Sequence, residues 1–311
     1  MNLKKVKEKL RGPVVSMPTP MKENYDLDLQ GLKKNVRFII ENGLEGNGVL
    51  MAVTAGGESF ALSIEEQKAA MKTVADEAKG KVPLITSAQD CNINTVIELS
   101  NYAESVGYDV VQISQPYYTG PSSKELYQWF EKISENVEIG IMVYNTPWLS
   151  GGLSIDVDLM GKLIEIPKVV SVKWSSADRF AYMEGYKRYA DKIPILANDA
   201  DPIVAHMLGA KMFLAIPGNY DPQYVVNVWK LLEKKQYPEA LNELYKFTIP
   251  WYQWLGELAK EGVNEAGTKF TLELLGHPAG PARPPFHHTI TENQKRRLRE
   301  ILTNAGIKAV K

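Results

Sequence analysis

A single cysteine, Cys91, stands in 311 residues, so an intrachain disulfide framework and a cysteine-based metal cluster are both excluded. This thiol content fits a reducing cytosol, and the plain reading of Cys91 is a small buried side chain. Nowhere does an apolar run approach the ~20 residues of a membrane span. Residues 1–11 are rich in lysine but lack the apolar stretch of a secretory signal, and the expected location is the cytoplasm. Charge of one sign is also missing. Against 36 Lys and Arg stand 37 Asp and Glu, so no whole-protein field draws nucleic acid or an anionic membrane. The basic run Lys295-Arg296-Arg297 reads as the solvated face of a terminal helix. A nucleotide-binding glycine turn is absent after the first expected strand, which argues against an open doubly wound sheet. Histidine is scarce, and His206, His277, His287 and His288 fall in expected helices or the C-terminal part, so a converging metal-ligand set is not expected. No metal and no organic cofactor are expected.

What the chain does have is alternation. Short β-branched runs at 14–17, 49–53, 83–86, 109–114, 139–144, 169–173, 194–196 and 212–216 predict strands, most of them apolar throughout, as strands covered on both faces are. Between them, apolar residues at helical spacing predict helices over 29–42, 64–78, 94–105, 123–135, 157–164, 180–190, 202–208 and 222–234. Eight strands joined by right-handed crossovers predict a (β/α)8 TIM barrel over 1–235. After residue 235 the strands stop. Helices are expected over 237–260, 263–275 and 291–304, with a rigid proline-rich connection at 277–285, giving a C-terminal helical extension over 236–311.

In a barrel the C-terminal strand ends face the active site. Lys173 ends the sixth expected strand, where desolvation would depress its pKa and free its amine to attack a carbonyl. Tyr144 ends the fifth strand and Tyr118 follows the fourth; phenols beside a forming carbinolamine can pass protons. Alone, either tyrosine reads equally as packing. After the second strand, Thr54-Ala55-Gly56-Gly57-Glu58 is small enough for backbone N–H groups to converge on a carboxylate, or is an ordinary glycine turn. Trp148 and Trp174 flank the expected site, with Ser175, Ser176, Asn198 and Asp199 nearby. Aromatic walls suit a weakly charged second substrate such as a sugar-derived or aromatic aldehyde; their other reading is loop packing. The turn Ala215-Ile216-Pro217-Gly218-Asn219 offers one or two amides at most, which disfavours phosphorylated substrates.

These pieces resemble the dihydrodipicolinate synthase and N-acetylneuraminate lyase superfamily of Schiff-base class I aldolases. The likeness runs from Gly12-Pro13 to the C-terminal helices. It rests on Gly57-Glu58 with Leu62-Ser63-Ile64-Glu65-Glu66, Pro116-Tyr117-Tyr118, Tyr144-Asn145-Thr146-Pro147, Val172-Lys173 and Gly280-Pro281-Ala282-Arg283-Pro284-Pro285. The resemblance implies that Lys173 forms the Schiff base with pyruvate or a related 2-oxo acid and that Tyr144 transfers protons beside it. It also implies that Tyr118 enters a neighbouring subunit's site in a dimer-of-dimers homotetramer, that Leu214 and Ile216 line the pyruvate pocket, and that the amides of Gly56 and Gly57 take the carboxylate.

Two departures shape the expected activity. Where the family reads Gly-Thr-Thr-Gly-Glu, this chain has Thr54-Ala55-Gly56-Gly57-Glu58, so the hydroxyl linking the two tyrosines is missing unless Thr54 or a water replaces it. The synthases of the family carry an arginine near the strand-five tyrosine for the second substrate's carboxylate; here Trp148-Leu149-Ser150 follows, and leucine cannot pair with a carboxylate. The expectation is therefore aldol cleavage, aldol addition or dehydration of a 2-oxo acid rather than lysine biosynthesis. The alternatives are 4-hydroxy-tetrahydrodipicolinate synthase and a barrel that binds a 2-oxo acid without turnover.

Overall fold

The computed structural model describes residues 1–198, 201–260, 264–285 and 289–307. Eight parallel strands, β1 (Gly12–Ser16), β2 (Val49–Met51), β3 (Leu84–Ser87), β4 (Val110–Ser114), β5 (Gly140–Tyr144), β6 (Val169–Trp174), β7 (Ile195–Ala197) and β8 (Met212–Leu214), follow one another round a closed barrel. Residues Gly12, Pro13 and Val14 of β1 pair with Met212, Phe213 and Leu214 of β8. The alternation of apolar runs thus reports a (β/α)8 barrel correctly, with a helical part after it. Two strands end two residues earlier than their composition suggests. β2 stops at Met51 because Val53 lies at φ 54°, a left-handed conformation that no strand accommodates and that a β-branched residue rarely adopts. β8 stops at Leu214 because Ile216–Asn219 winds into a 3₁₀ turn with Pro217 near its start.

By packing, the chain forms two compact units. The first comprises Met1–Val14, Gly48–Met51 and Pro83–Leu214 and contains the paired barrel strands. Val14, Val49, Met51, Ile85, Val110, Met142, Val170, Leu196 and Met212 fill its interior, and Val6 and Leu10 join the same cluster. Val6 lies in, and Leu10 caps, a helix, Leu3–Lys9, that the sequence reading does not anticipate. Its start is fixed by Asn2, whose side chain accepts the Lys5 N–H at 3.2 Å. Burying each such side chain contributes roughly 1.5–3 kcal/mol, so this short segment of about two turns is held by its contacts rather than by its own propensity.

The second unit comprises Val15–Asn47, Ala52–Val82 and Ala215–Lys311. Its core is aromatic, with Tyr220, Phe247, Trp251 and Trp254 packed among Leu258, Leu298 and Leu302. The stretch expected as one helix over 237–260 is two, Tyr237–Lys246 and Thr248–Lys260. The break is at Phe247, at φ −138° and ψ −58°. Pro250 has no N–H to offer the carbonyl of Lys246, so the first helix cannot run through it. Among the described residues no helix is long and apolar enough to cross a membrane.

Candidate active site

Simple alternation along β6 would send Lys173 away from the barrel axis, because Val170, three residues earlier, lies in the interior cluster. A β-bulge reverses this. On β5, Ile141 pairs with Val169 but the next residue, Met142, pairs with Ser171, so β6 carries one extra residue at Val170. Gly140 of β5 makes room for it: a Cβ there would sit 2.7 Å from a Val170 methyl carbon and 3.1 Å from the Asp109 carbonyl oxygen. Beyond the bulge, Val143 pairs with Val172 and Tyr144 with Lys173. Lys173 also pairs with Leu196, an interior residue. Residues in register share a face, so Lys173 and Tyr144 both point inward at the C-terminal end of the sheet.

The Lys173 Nζ sits 4.0 Å from the centroid of the Tyr144 ring, and both residues are buried, at 6% and 7% exposure. Burial alone lowers the Lys173 pKa from 10.5 to about 7, because a low-dielectric setting penalises the ammonium and not the amine. Among the described residues no carboxylate forms a salt bridge with it. A neutral amine is therefore accessible near pH 7, as a carbonyl nucleophile requires. The ring of Tyr144 is in turn set edge-on against Trp148, with centroids 6.2 Å apart.

A buried polar network, not anticipated from the sequence, joins the loops that follow β4, β5 and β6. The Gln115 side-chain amide donates to Asn145 Oδ1 at 3.0 Å and to the Leu153 carbonyl at 2.8 Å. Asn145 Nδ2 donates to the Ser175 carbonyl at 2.9 Å, and Ser175 Oγ donates back to the Asn145 carbonyl at 2.8 Å. Gln115, Asn145 and Ser175 directly follow β4, Tyr144 and Trp174, so the network secures the ends of the strands that carry Tyr144 and Lys173. The only sequence signal for it is polar residues clustered just past apolar strands.

The turn after β2 lies in the second unit and corrects one assignment. Ala55–Gly57 is a 3₁₀ turn in which the Gly57 N–H donates to the Thr54 carbonyl at 2.8 Å. That amide is spent inside the turn, and the N–H groups left for an anion are those of Ala55 and Gly56, the first donors of the turn. Gly57 is required for a different reason: a Cβ would approach the Met17 carbonyl oxygen to 3.1 Å and Thr19 Oγ1 to 3.2 Å. Thr54 is buried, and its hydroxyl lies 3.2 Å from Ser16 Oγ. Ser16, which ends β1, was not marked by any sequence motif.

The turn is held from the C-terminal side of the same unit. Glu58, fully buried at φ 57°, forms an ion pair with buried Lys269 and accepts the Arg283 N–H at 2.8 Å. The Arg283 guanidinium binds both carboxylate oxygens of Glu66, at 2.7 and 2.8 Å, and the carbonyls of Ala61 and Tyr25. Arg283, followed by desolvation working in the opposite sense, holds the Glu66 carboxyl at about 2. Gly280 allows this connection to approach: at φ 65°, a Cβ would fall 1.9 Å from the Met21 carbonyl oxygen.

The remaining residues divide. Leu214 is half-buried against the barrel-interior cluster, and Ile216 against the aromatic cluster of the second unit. Trp148 is 56% exposed and Tyr118 88% exposed, so Tyr118 stands on the surface of its own chain. Trp174 does not join Lys173. Being next to an inward residue, it points outward, where its indole N–H donates to the Tyr182 carbonyl at 3.0 Å and its ring meets Tyr189 edge-on. Gly185 of the helix Arg179–Tyr189 leaves the space the indole occupies, so the assignment of Trp174 to substrate binding is withdrawn. His277 packs on Phe38, with ring centroids 4.2 Å apart, and His206 lies in the helix Pro202–Met207. Asp199, His287 and His288 lie outside the described residues. Among the described residues no three His, Cys, Asp or Glu side chains gather as metal ligands.

Residues 9–305 match the model of the dihydrodipicolinate synthetase family. A 4-hydroxy-tetrahydrodipicolinate synthase of Methanopyrus kandleri is 30% identical over 305 residues, covering 96% of this chain and 97% of that one. Among solved structures, dihydrodipicolinate synthase from Acinetobacter baumannii, complexed with pyruvate, superposes with a TM-score of 0.84 at 25% identity, covering 96% of this chain and all of that one. N-acetylneuraminate lyase from Mycoplasma synoviae superposes with a TM-score of 0.80 at 28% identity, over 96% of this chain and 98% of that one. The chain belongs to the dihydrodipicolinate synthetase family and is an enzyme of the class I aldolase-type lyases.

Proposed function

We propose that the protein is a Schiff-base-forming lyase acting on pyruvate or a related 2-oxo acid, by aldol cleavage, aldol addition or dehydration. The observation that carries this reading is the buried Lys173 amine, lowered to about 7 and set 4.0 Å from the Tyr144 ring. The neutral Nζ adds to the C2 carbonyl carbon. Tyr144 relays the protons that let the carbinolamine lose water, and the resulting iminium accepts the electron pair released when a C3 proton or an aldehyde departs. Reversal of the last step is addition, and loss of a 4-hydroxyl from the enamine is dehydration. The pyruvate complex of the Acinetobacter baumannii relative supports the choice of a 2-oxo acid.

Leu214 is assigned to the pocket wall and Trp148 to its mouth. The 88% exposure of Tyr118 supports a role in a neighbouring copy; the homotetramer is assigned from the family likeness alone. The exposed segment Trp148-Leu149, which has no cation, favours an uncharged aldehyde over a second substrate bearing a carboxylate. The second reading, 4-hydroxy-tetrahydrodipicolinate synthase, is favoured by the name of the Methanopyrus kandleri relative.

Borohydride reduction after incubation with a panel of 2-oxo acids tests the chemistry. Intact mass is expected to rise by the reduced adduct in the native protein and not in Lys173→Ala; equal labelling of both would remove Lys173 from the mechanism. A direct assay of 4-hydroxy-tetrahydrodipicolinate formation separates the two activities.

A further inference from the structure

Gln112 is an inward-facing polar residue of β4 that the chemistry above does not use. It pairs with Ser87 of β3 and with Met142 of β5. Met142 lies in the barrel interior, as does Val110, two residues before Gln112, so Gln112 shares the face of both. One inward position further along the sheet, Ser114 pairs with Tyr144, which pairs with Lys173. Gln112 therefore belongs to the layer directly beneath the reactive pair. It is 5% exposed, and its Oε1 is buried with no hydrogen-bond partner among the described residues. The hydroxyl above it is already committed: Ser114 Oγ donates to Gln89 Oε1 at 2.8 Å.

A buried carbonyl oxygen without a donor is costly, and a core position beside Met142 and Val110 would hold an apolar side chain at no such cost. An orphaned acceptor one layer beneath a reactive amine is accounted for when the ligand brings the donor. We propose that Gln112 is a specificity-determining residue whose amide oxygen accepts a hydrogen bond from the substrate, selecting 2-oxo acids that bear a hydroxyl on C3 over those with a bare methyl group. The inference rests on the Schiff-base reading. In that reading C2 of the bound acid carries the Lys173 nitrogen and the carboxylate carbon, each with its own partners, and C3 is the substituent left to be recognised.

The test compares rates of borohydride trapping for 3-hydroxypyruvate, pyruvate and 2-oxobutanoate in the native protein, in Gln112→Met and in Gln112→Leu. The native protein is expected to trap 3-hydroxypyruvate about tenfold or more faster than 2-oxobutanoate, which fills the same space without a hydroxyl. Gln112→Met is expected to lose that preference while still trapping pyruvate. Should Gln112→Met fail to fold, Gln112→Leu is read in the same way, and the preference of the native protein is a test that needs no variant. Equal or faster trapping of 2-oxobutanoate by the native protein overturns the assignment, as does a preference that persists in the folded variants. Absence of trapping with every acid overturns the Schiff-base reading itself, an outcome distinct from the other two.

Discussion

Lys173 and Tyr144 are register partners across β5 and β6, and the Lys173 Nζ lies 4.0 Å from the centre of the Tyr144 ring. The ring keeps water from one side of the amine and offers the negative face of its π-system to the ammonium. Burial nevertheless dominates, and the amine is held at about 7 rather than 10.5. Protonated Lys173 is therefore a destabilising charge in the folded chain.

Replacing that charge is expected to stabilise the protein. The unfolded chain binds the Lys173 proton at any pH below about 10.5, and the folded chain only below about 7. Between these values the unfolded state holds more protons, so stability rises with pH across this window. Lys173→Met should be more stable than the native protein by about 2–4 kcal/mol near pH 7, and its urea unfolding free energy should lose part of the upward slope between pH 7 and 10. A variant less stable at every pH would mean that the lysine is not buried as a cation.

The same lowered value sets the pH dependence of imine formation. Trapping at a low, fixed 2-oxo acid concentration should accelerate as pH rises toward 7 and level off above it, following the neutral amine. A rate still climbing tenfold per unit at pH 9 would place the amine in solvent.

Tyr144→Phe keeps the ring over Lys173 and beside Trp148 and removes only the phenolic oxygen. The melting temperature should change little, while kcat falls by about 10²–10⁴. If kcat is retained, proton transfer belongs to another group.

Gly140→Ala probes the bulge. Its Cβ would meet Val170 at 2.7 Å, and expelling Val170 from the interior should cost about 1–3 kcal/mol and disturb the Tyr144–Lys173 pairing. Loss of borohydride trapping in a variant that still folds is the expected signature. Full trapping would show that the bulge does not depend on this glycine.

Glu66→Gln tests the clamp behind the turn after β2. The native carboxyl is held at about 2 by Arg283, so its stabilisation is complete above the ordinary carboxylate range and is lost as pH falls from about 4.5 toward 2. The side chain is 30% exposed, so screening limits the effect to about 1–2 kcal/mol at pH 7. Acid unfolding of the variant should be flatter over that interval. An unchanged acid limb would mean that the ion pair contributes nothing net.

Much of this site was legible because barrel chemistry sits at strand ends and strand ends are visible as breaks in apolar runs. Lys173, Tyr144 and the glycine turn all stand at such breaks. The runs also set eight strands and, by ending near residue 214, the change to helices. What the linear chain could not carry was direction. Alternation along Val169-Val170-Ser171-Val172-Lys173-Trp174 does not say which side chains face the axis, because the bulge that reverses them depends on Gly140 of another strand; hence the sequence reading turns Lys173 and Trp174 toward one site, whereas the structure points them to opposite faces. Nor could spacing tell which amides of the turn after β2 are free, since the Gly57 N–H is consumed by a bond that exists only once the turn closes. Gln112 reads as one polar residue in an apolar strand until Val110 and Met142 show which way it points. Composition and periodicity determined the elements and their order, because these follow from local burial; the facing of side chains, the lowered amine and the orphaned oxygen were decided by tertiary packing, because each depends on residues far away in the chain.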